Sequence, residues 1–245
     1  MIPPNATATT NHPTSGCRRV ELFGVPFDAV TFADAIDRLL ELAHGDRPTY
    51  AVTANVDHIV RLHRSPELRP LYTNADLVVA DGMPLIWASR LLRAPLPERV
   101  AGSDLFPALC ARAAECGLSV YLLGGAPGTA ERAAAVLRAR HPALKVAGTF
   151  CPEYGFEKDP AASRRVVDAV AAARPDILFV GLGSPKQEKW IVANQAACGS
   201  RLSVGVGVSF SFVAGDVTRA PQWMRRVGLE WAHRLVQEPR RLWRR

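Results

Sequence analysis

The sequence predicts an α/β fold, with a mostly parallel sheet covered by helices on both faces. Short apolar runs rich in Val, Ile, Leu and Phe alternate along the chain with amphipathic stretches at helical spacing. Several of these runs end in Gly, Asn or Asp immediately before a helix begins, as strands do when they feed helices at one sheet edge. With 245 residues, 48% hydrophobic and 22% charged, the chain has the composition of a globular protein with one sizeable core or two small ones.

Taken in order, RVELFGVPFDAV reads as a short strand pair and TFADAIDRLLELAHG as a helix ending at Gly45. TYAVTANVDHIVRL is a strand entering a helix around Asn55, and Pro66 opens a further helical turn. ADLVVADGMPLIWASRLL repeats the strand, loop and helix pattern, as does LSVYLLGGAPGTAERAAAVLRARHP. LKVAGTF is a strand, ASRRVVDAVAAARP a helix and DILFVGLG a strand. A helix starts at Lys186, and RLSVGVGVSFSFVAG is read as the last strand. LPERVAGSD is turn-rich. The opening MIPPNATATTNHPTSG is polar and lacks an apolar h-region, so residues 1–18 are expected to be a flexible tail and not a signal peptide. Residues 19–217 then form the α/β core and 218–245 a basic C-terminal helical appendage.

Charge is concentrated at that end. The formal net charge is +7, yet the segment from Thr218 to Arg245 holds eight Arg against Glu230 and Glu238. Three tryptophans, Trp223, Trp231 and Trp243, accompany them, so the segment suits an anionic and partly apolar surface such as lipid headgroups; a merely solvated helix is the alternative. The remainder is close to neutral, which argues against nucleic acid as a partner. No apolar run is long enough for a transmembrane helix. The five cysteines are scattered without a CxxC pair, as for reduced thiols in a cytoplasm.

If the strands are parallel, four polar or glycine-rich turns gather in one cleft: Thr53 with Asn55, Asp81 with Gly82, Gly124 to Gly128, and Gly181 to Gln187. Gly124, Gly125 and Gly128 stand where a loop cradles phosphate before a helix, or where tight packing requires glycine. The match to G-x-G-x-x-G is imperfect and LKVAGTF ends without a ribose-binding acid, so a dinucleotide-dependent oxidoreductase is weakly supported. Ser184 lies outside G-x-S-x-G, there is no Walker lysine, and His58 and His63 lack partners at metal spacing. Asp81 follows LVVA, so its carboxylate emerges from an apolar surround, either as a general base or as the N-cap of PLIWASRLL. Arg99 either binds an anionic group or pairs with Glu98. Asn55 and Gln187 suit sugar hydroxyls or helix caps, and Lys186 and Glu188 flank Gln187 on the first turn of its helix.

TANVDHIV, ADLVVADGMPLIW, LPERVAGSDL, VYLLGGAPG, PDILFVGLGSPKQEKWI, VGVGVSF, AGDVTRAPQW and GLEWAHRLVQEPRR together resemble the bacterial WecG/TagA/CpsF glycosyltransferases, from about Val20 onward and in the family order. The resemblance implies a Rossmann-like fold with a C-terminal appendage. It also implies inverting transfer of a sugar from a UDP-linked donor, N-acetylmannosamine, its uronic acid or another hexose, to a polyprenyl-diphosphate-linked sugar in cell-envelope and exopolysaccharide biosynthesis. Carried onto this chain, Asp81 is the general base, and Thr53, Asn55, Arg99 and Gln187 line the cleft. Gly125, Lys186 and Glu188 join the substrate-binding set, and Arg234, Arg241 and Arg244 match basic appendage positions. Spacings of 7 and 3 bring those three arginines near one helical face, where they suit a diphosphate, although Pro239 interrupts the run. With no D-x-D motif, no metal or other cofactor is expected, and arginines and backbone N–H groups neutralise the leaving group. The expected location is the cytoplasmic face of the plasma membrane, with self-association off the membrane. A non-catalytic protein that binds membrane or nucleic acid is the remaining rival.

Overall fold

The computed structural model describes residues 18–218 together with 220, 221 and 224. The N-terminal tail, almost all of the basic appendage and Arg234, Arg241 and Arg244 therefore lie outside the described residues.

The described residues open with an antiparallel hairpin of β1 (Arg19–Leu22) and β2 (Val25–Asp28). After it come α1 (Phe32–His44), β3 (Thr49–Ala54), α2 (Val56–Arg64), the short α3 (Pro70–Thr73), β4 (Leu77–Ala80), α4 (Met83–Leu91) and α5 (Gly102–Glu115). The second half runs β5 (Ser119–Gly124), α6 (Thr129–Arg140), β6 (Lys145–Phe150), α7 (Pro160–Ala173), β7 (Ile177–Gly181), α8 (Lys186–Cys198), β8 (Leu202–Gly205) and α9 (Ser209–Ala214).

Strands β3 to β8 form one six-stranded sheet in the order β4-β3-β8-β7-β5-β6, every neighbouring pair parallel. Because side chains alternate along a strand, the sheet divides the core in two. Ala51, Val79, Leu122, Phe179 and Val204 face one cluster, which also takes residues of α1, α5, α6 and α9. Val52, Val78, Leu123, Leu178 and Val180 face the other, which takes the hairpin, α2, α4, α7 and α8. This is the doubly covered parallel sheet expected from the near-continuous apolar runs.

A buried ion pair fixes the hairpin to this sheet. Arg19 Nε lies 2.9 Å from Asp28 Oδ1. Arg19 Nη2 donates to Ala75 O at 2.8 Å, and Asp28 Oδ2 accepts from Val78 N at 2.8 Å.

Two segments depart from the sequence reading. The run RLSVGVGVSFSFVAG is not one strand: β8 stops at Gly205, the chain turns through Gly207 at φ +54°, and Ser209–Ala214 is helical. Its alternating Ser and Phe imitate a strand, but Phe210 is wanted in the core, where its ring stands edge-on to Phe106 at 5.2 Å between centroids. The turn-rich LPERVAGSD leads directly into α5, which runs on through Pro107 in its second turn, where the proline has no N–H to give the Ser103 carbonyl.

Candidate functional site

The parallel register brings the ends of five strands level. Ala54 pairs with Ala80, Val52 and Val180 both align with Gly205, and Gly124 pairs with Gly181. The turns carrying Asn55, Asp81, Gly125, Gly181 to Gln187 and Gly207 consequently share the C-terminal edge of the sheet, where open α/β sheets bind ligands.

Asp81 stands at the tip of β4. Its N–H continues the ladder to Ala54 O at 2.8 Å, and its Oδ2 accepts from Gly102 N, the first amide of α5, at 3.2 Å. It is not the cap of α4: Gly82 occupies that position and no side chain caps the helix. The segment between Arg99 and Gly102 lies along the end of β4, with Val100 N donating to Ala80 O at 2.9 Å. A backbone donor at a helix N-terminus stabilises a carboxylate, and the part-exposed position leaves Asp81 reachable from the C-terminal edge of the sheet.

Thr53 lies beneath this contact. Its Oγ1 donates to Gly205 O at 3.4 Å, and a Cβ on Gly102 would come within 2.9 Å of it, so α5 approaches β3 only through glycine. Asn55 caps α2, its Oδ1 accepting from His58 N at 3.3 Å. Arg99 sits with its Nη2 3.6 Å from Asp104 Oδ2 on α5, whereas Glu98 accepts from the Phe32 N–H at the start of α1. The Arg99–Glu98 pairing open at the sequence level is thus replaced by one across the turn.

The three polar residues opening α8 face different surroundings. Lys186 Nζ pairs with Glu157 Oε1 at 2.9 Å and lies over the rings of Tyr154 and Phe156, beyond β6. Gln187 is buried and bridges two elements: its Oε1 accepts from Gly207 N at 3.1 Å and its Nε2 donates to Glu188 Oε1 at 2.8 Å. Glu188 is 0% exposed, and its Oε2 has no hydrogen-bond partner among the described residues. Its charge acts on Tyr72: burial first, then Glu188, pushes that phenol well above its usual range, while a 3.4 Å contact with Ser184 Oγ opposes them. Gly205 is required beside this pair, since a Cβ there would meet Gln187 Nε2 at 2.8 Å.

The glycine loop is knitted into the sheet. Gly125 N already donates to Gly181 O at 3.0 Å, and its carbonyl accepts from Cys151 Sγ at 3.4 Å. At the start of α6, Asp216 accepts from Arg132 Nη2 at 2.7 Å and from Thr129 Oγ1 at 2.8 Å, bonds that, the arginine's first, hold its carboxyl below the usual range. This clasp ties the chain just before the basic segment to the core.

The structure therefore brings Asp81, Thr53 and Asn55 together with the Arg99 turn, and adds Gln187 from across β8. Gly102 and Gly207, which act through backbone N–H groups, were missed in the sequence; the signal was a small residue followed by Ser-Asp in AGSD, a helix start. Among the described residues no group of three or more His, Cys, Asp or Glu side chains is placed to hold a metal. No described helix is long and apolar enough to cross a membrane.

Comparison with known proteins agrees with this arrangement. Residues 20–245 match the family described as Glycosyl transferase WecG/TagA/CpsF family. An N-acetylglucosaminyldiphosphoundecaprenol N-acetyl-beta-D-mannosaminyltransferase of Bacillus spizizenii (strain ATCC 23059 / NRRL B-14472 / W23) is 33% identical over 200 residues, 82% of this chain and 75% of that protein. A protein of the same name from Staphylococcus aureus (strain MRSA252) is 29% identical over 232 residues, 94% of this chain and 89% of its own length. With the motif blocks, the parallel sheet and the polar cluster at its edge already in place, the match over almost the whole chain assigns this protein to the WecG/TagA/CpsF family of glycosyltransferases.

Proposed function

We propose that this glycosyltransferase moves an N-acetylmannosamine-type sugar, or another hexose, from a UDP-sugar to a sugar carried on a polyprenyl diphosphate. The names of its relatives support the acceptor class and the transferred sugar. The observation that carries the mechanism is the carboxylate of Asp81 at the tip of β4, held by the Gly102 N–H and reachable from the C-terminal edge of the sheet.

In this reading Asp81 takes the proton of the acceptor hydroxyl while the oxygen attacks the donor's anomeric carbon. The new C–O bond forms as the bond to the diphosphate breaks, and UDP departs with the electron pair, leaving the anomeric centre inverted. Thr53 and Asn55 orient sugar hydroxyls beside Asp81, and Gln187 does so from the start of α8, kept in place by Glu188 and Gly207. Lys186 and the turn at Gly125 border the far side of the cleft. Charge developing on the diphosphate is met by Arg99 and by Arg234, Arg241 and Arg244 of the basic segment, so turnover is expected to need no metal cofactor. The enzyme works on the cytoplasmic face of the membrane, where its lipid-linked acceptor lies.

The test is UDP release from a panel of UDP-sugars, with and without a short-chain polyprenyl-diphosphate-linked acceptor, in the presence and absence of EDTA. Acceptor-dependent release from one donor that persists in EDTA supports the reading and names the sugar. Release that collapses in EDTA overturns the metal-independent part, and hydrolysis indifferent to acceptor overturns transfer.

A further inference from the structure

We propose that α4 is a membrane-docking element that sets the cleft against an anionic lipid surface, in addition to any contact made by the basic C-terminal segment. On α4, Met83, Trp87 and Leu91 recur every four residues and so share one face. Met83 packs partly against the core, but beyond it this face is open: Trp87 is 48% and Leu91 84% exposed, and Leu92, at the helix end, is 47% exposed. The opposite face supplies Leu85, Ile86 and Ser89 to the interior, so the helix is seated and the exposed Trp87 and Leu91 are surplus to folding.

Two cations frame the stripe, since Arg90 on the last turn and Arg93 just past the helix cap are both exposed. Trp, Leu and Arg interleaved in this way match the boundary between headgroups and acyl chains, where an indole is half solvated and a guanidinium meets phosphate. Glu98, the next acid along the chain, is engaged with the Phe32 N–H at the start of α1.

Charge selects this occupant over two others. The C-terminal segment carries eight Arg against two Glu and would be repelled by Arg90 and Arg93. A second copy packed symmetrically through this stripe would oppose the same arginines to themselves. An anionic bilayer complements them. Position points the same way: the stripe begins at Met83, two residues beyond Asp81, and ends at Leu91, about 12 Å along the helix. A membrane lying on it would present the headgroup of a lipid-linked sugar to the edge of the sheet. That last consequence rests on the lipid-linked acceptor proposed above, whereas the docking itself rests on α4 alone.

The experiment is hydrogen exchange of the full chain, read on peptides covering 83–93, with neutral phosphatidylcholine vesicles and with vesicles containing phosphatidylglycerol, alongside the bound fraction by co-sedimentation. Phosphatidylglycerol vesicles are expected to protect 83–93, neutral ones much less. The substitutions Trp87→Ser and Leu91→Gln together should weaken partitioning about tenfold or more, without changing exchange in the core strands. Bound protein whose 83–93 exchange is unchanged overturns the proposal. Protection that grows with protein concentration before lipid is added assigns the stripe to a second copy, and loss of protection on truncation after Asp216 without lipid assigns it to the chain's own end; either result also overturns it. Sugar transfer is not part of this readout, so a protein that docks but transfers nothing contradicts only the functional reading.

Discussion

The backbone N–H of Gly102 reaches Asp81 Oδ2 at 3.2 Å, so the first amide of α5 is aimed at the carboxylate that ends β4. The approach depends on Gly102 having no side chain, because a Cβ would meet Thr53 Oγ1 at 2.9 Å. Gly102→Ala is expected to push the turn off Asp81 and lower kcat by about 100-fold, as a displacement of about 1 Å does. Steady-state rates beside a circular dichroism spectrum of the variant check this; an unchanged kcat would remove Gly102 from the site.

Gln187 bridges the Glu188 carboxylate and the Gly207 amide. Gln187→Ala leaves a buried carboxylate without its donor and a backbone N–H without its acceptor. The expected loss is about 3 kcal/mol of stability, read from urea unfolding. Glu188→Gln keeps the shape but removes the charge that holds the Gln187 amide, so kcat should fall while the urea midpoint moves less than for Gln187→Ala.

Arg19 and Asp28 form an ion pair with side chains 3% and 0% exposed. Replacing one partner strands the other charge, so Arg19→Met is expected to cost about 3–5 kcal/mol. The double variant Arg19→Met, Asp28→Leu should recover part of this, although Val78 N loses its acceptor. Equilibrium unfolding of the single and double variants measures the coupling.

Tyr50 gives the pH dependence. Its hydroxyl is buried and has no hydrogen-bond partner among the described residues; burial, with Asp76 adding and Arg19 opposing, pushes the phenol up to about 12. The folded protein holds this proton more tightly than the unfolded chain, so the contribution is complete below about pH 10, the unfolded value. It is lost as pH rises through about 12. Tyr50→Phe should add about 1 kcal/mol at neutral pH by removing an unpaired hydroxyl, and should lose less stability than the wild type between pH 10 and 12, measured by urea midpoints across that range.

Strands and most helices were legible because their signals are local. Asn55 before VDHIVRL caps α2 as its residue type suggests, and Gly45 ends α1. α9 was not, because Ser and Phe alternate in SFSFVA and only the distant Phe106 decides that Phe210 turns inward. At the site, Asp81 could be singled out from LVVAD, but its partner could not: Gly102 contributes a backbone amide, and nothing in a sequence marks which N–H will face a carboxylate twenty-one residues away. The KQE triplet illustrates the same limit. Adjacent polar residues on one helical turn point about 100° apart, so Lys186 meets Glu157 near the surface while Gln187 and Glu188 enter the core.

The most direct measurement compares wild type with Asp81→Asn for acceptor-dependent UDP release, using the donor that the panel identifies. The isosteric amide keeps an acceptor oxygen for the Gly102 N–H but cannot take the acceptor's proton. The expected result is a folded variant whose kcat falls by about 10²–10⁴-fold with little change in donor KM. A variant that transfers sugar at the wild-type rate would contradict the assignment of Asp81 as the base.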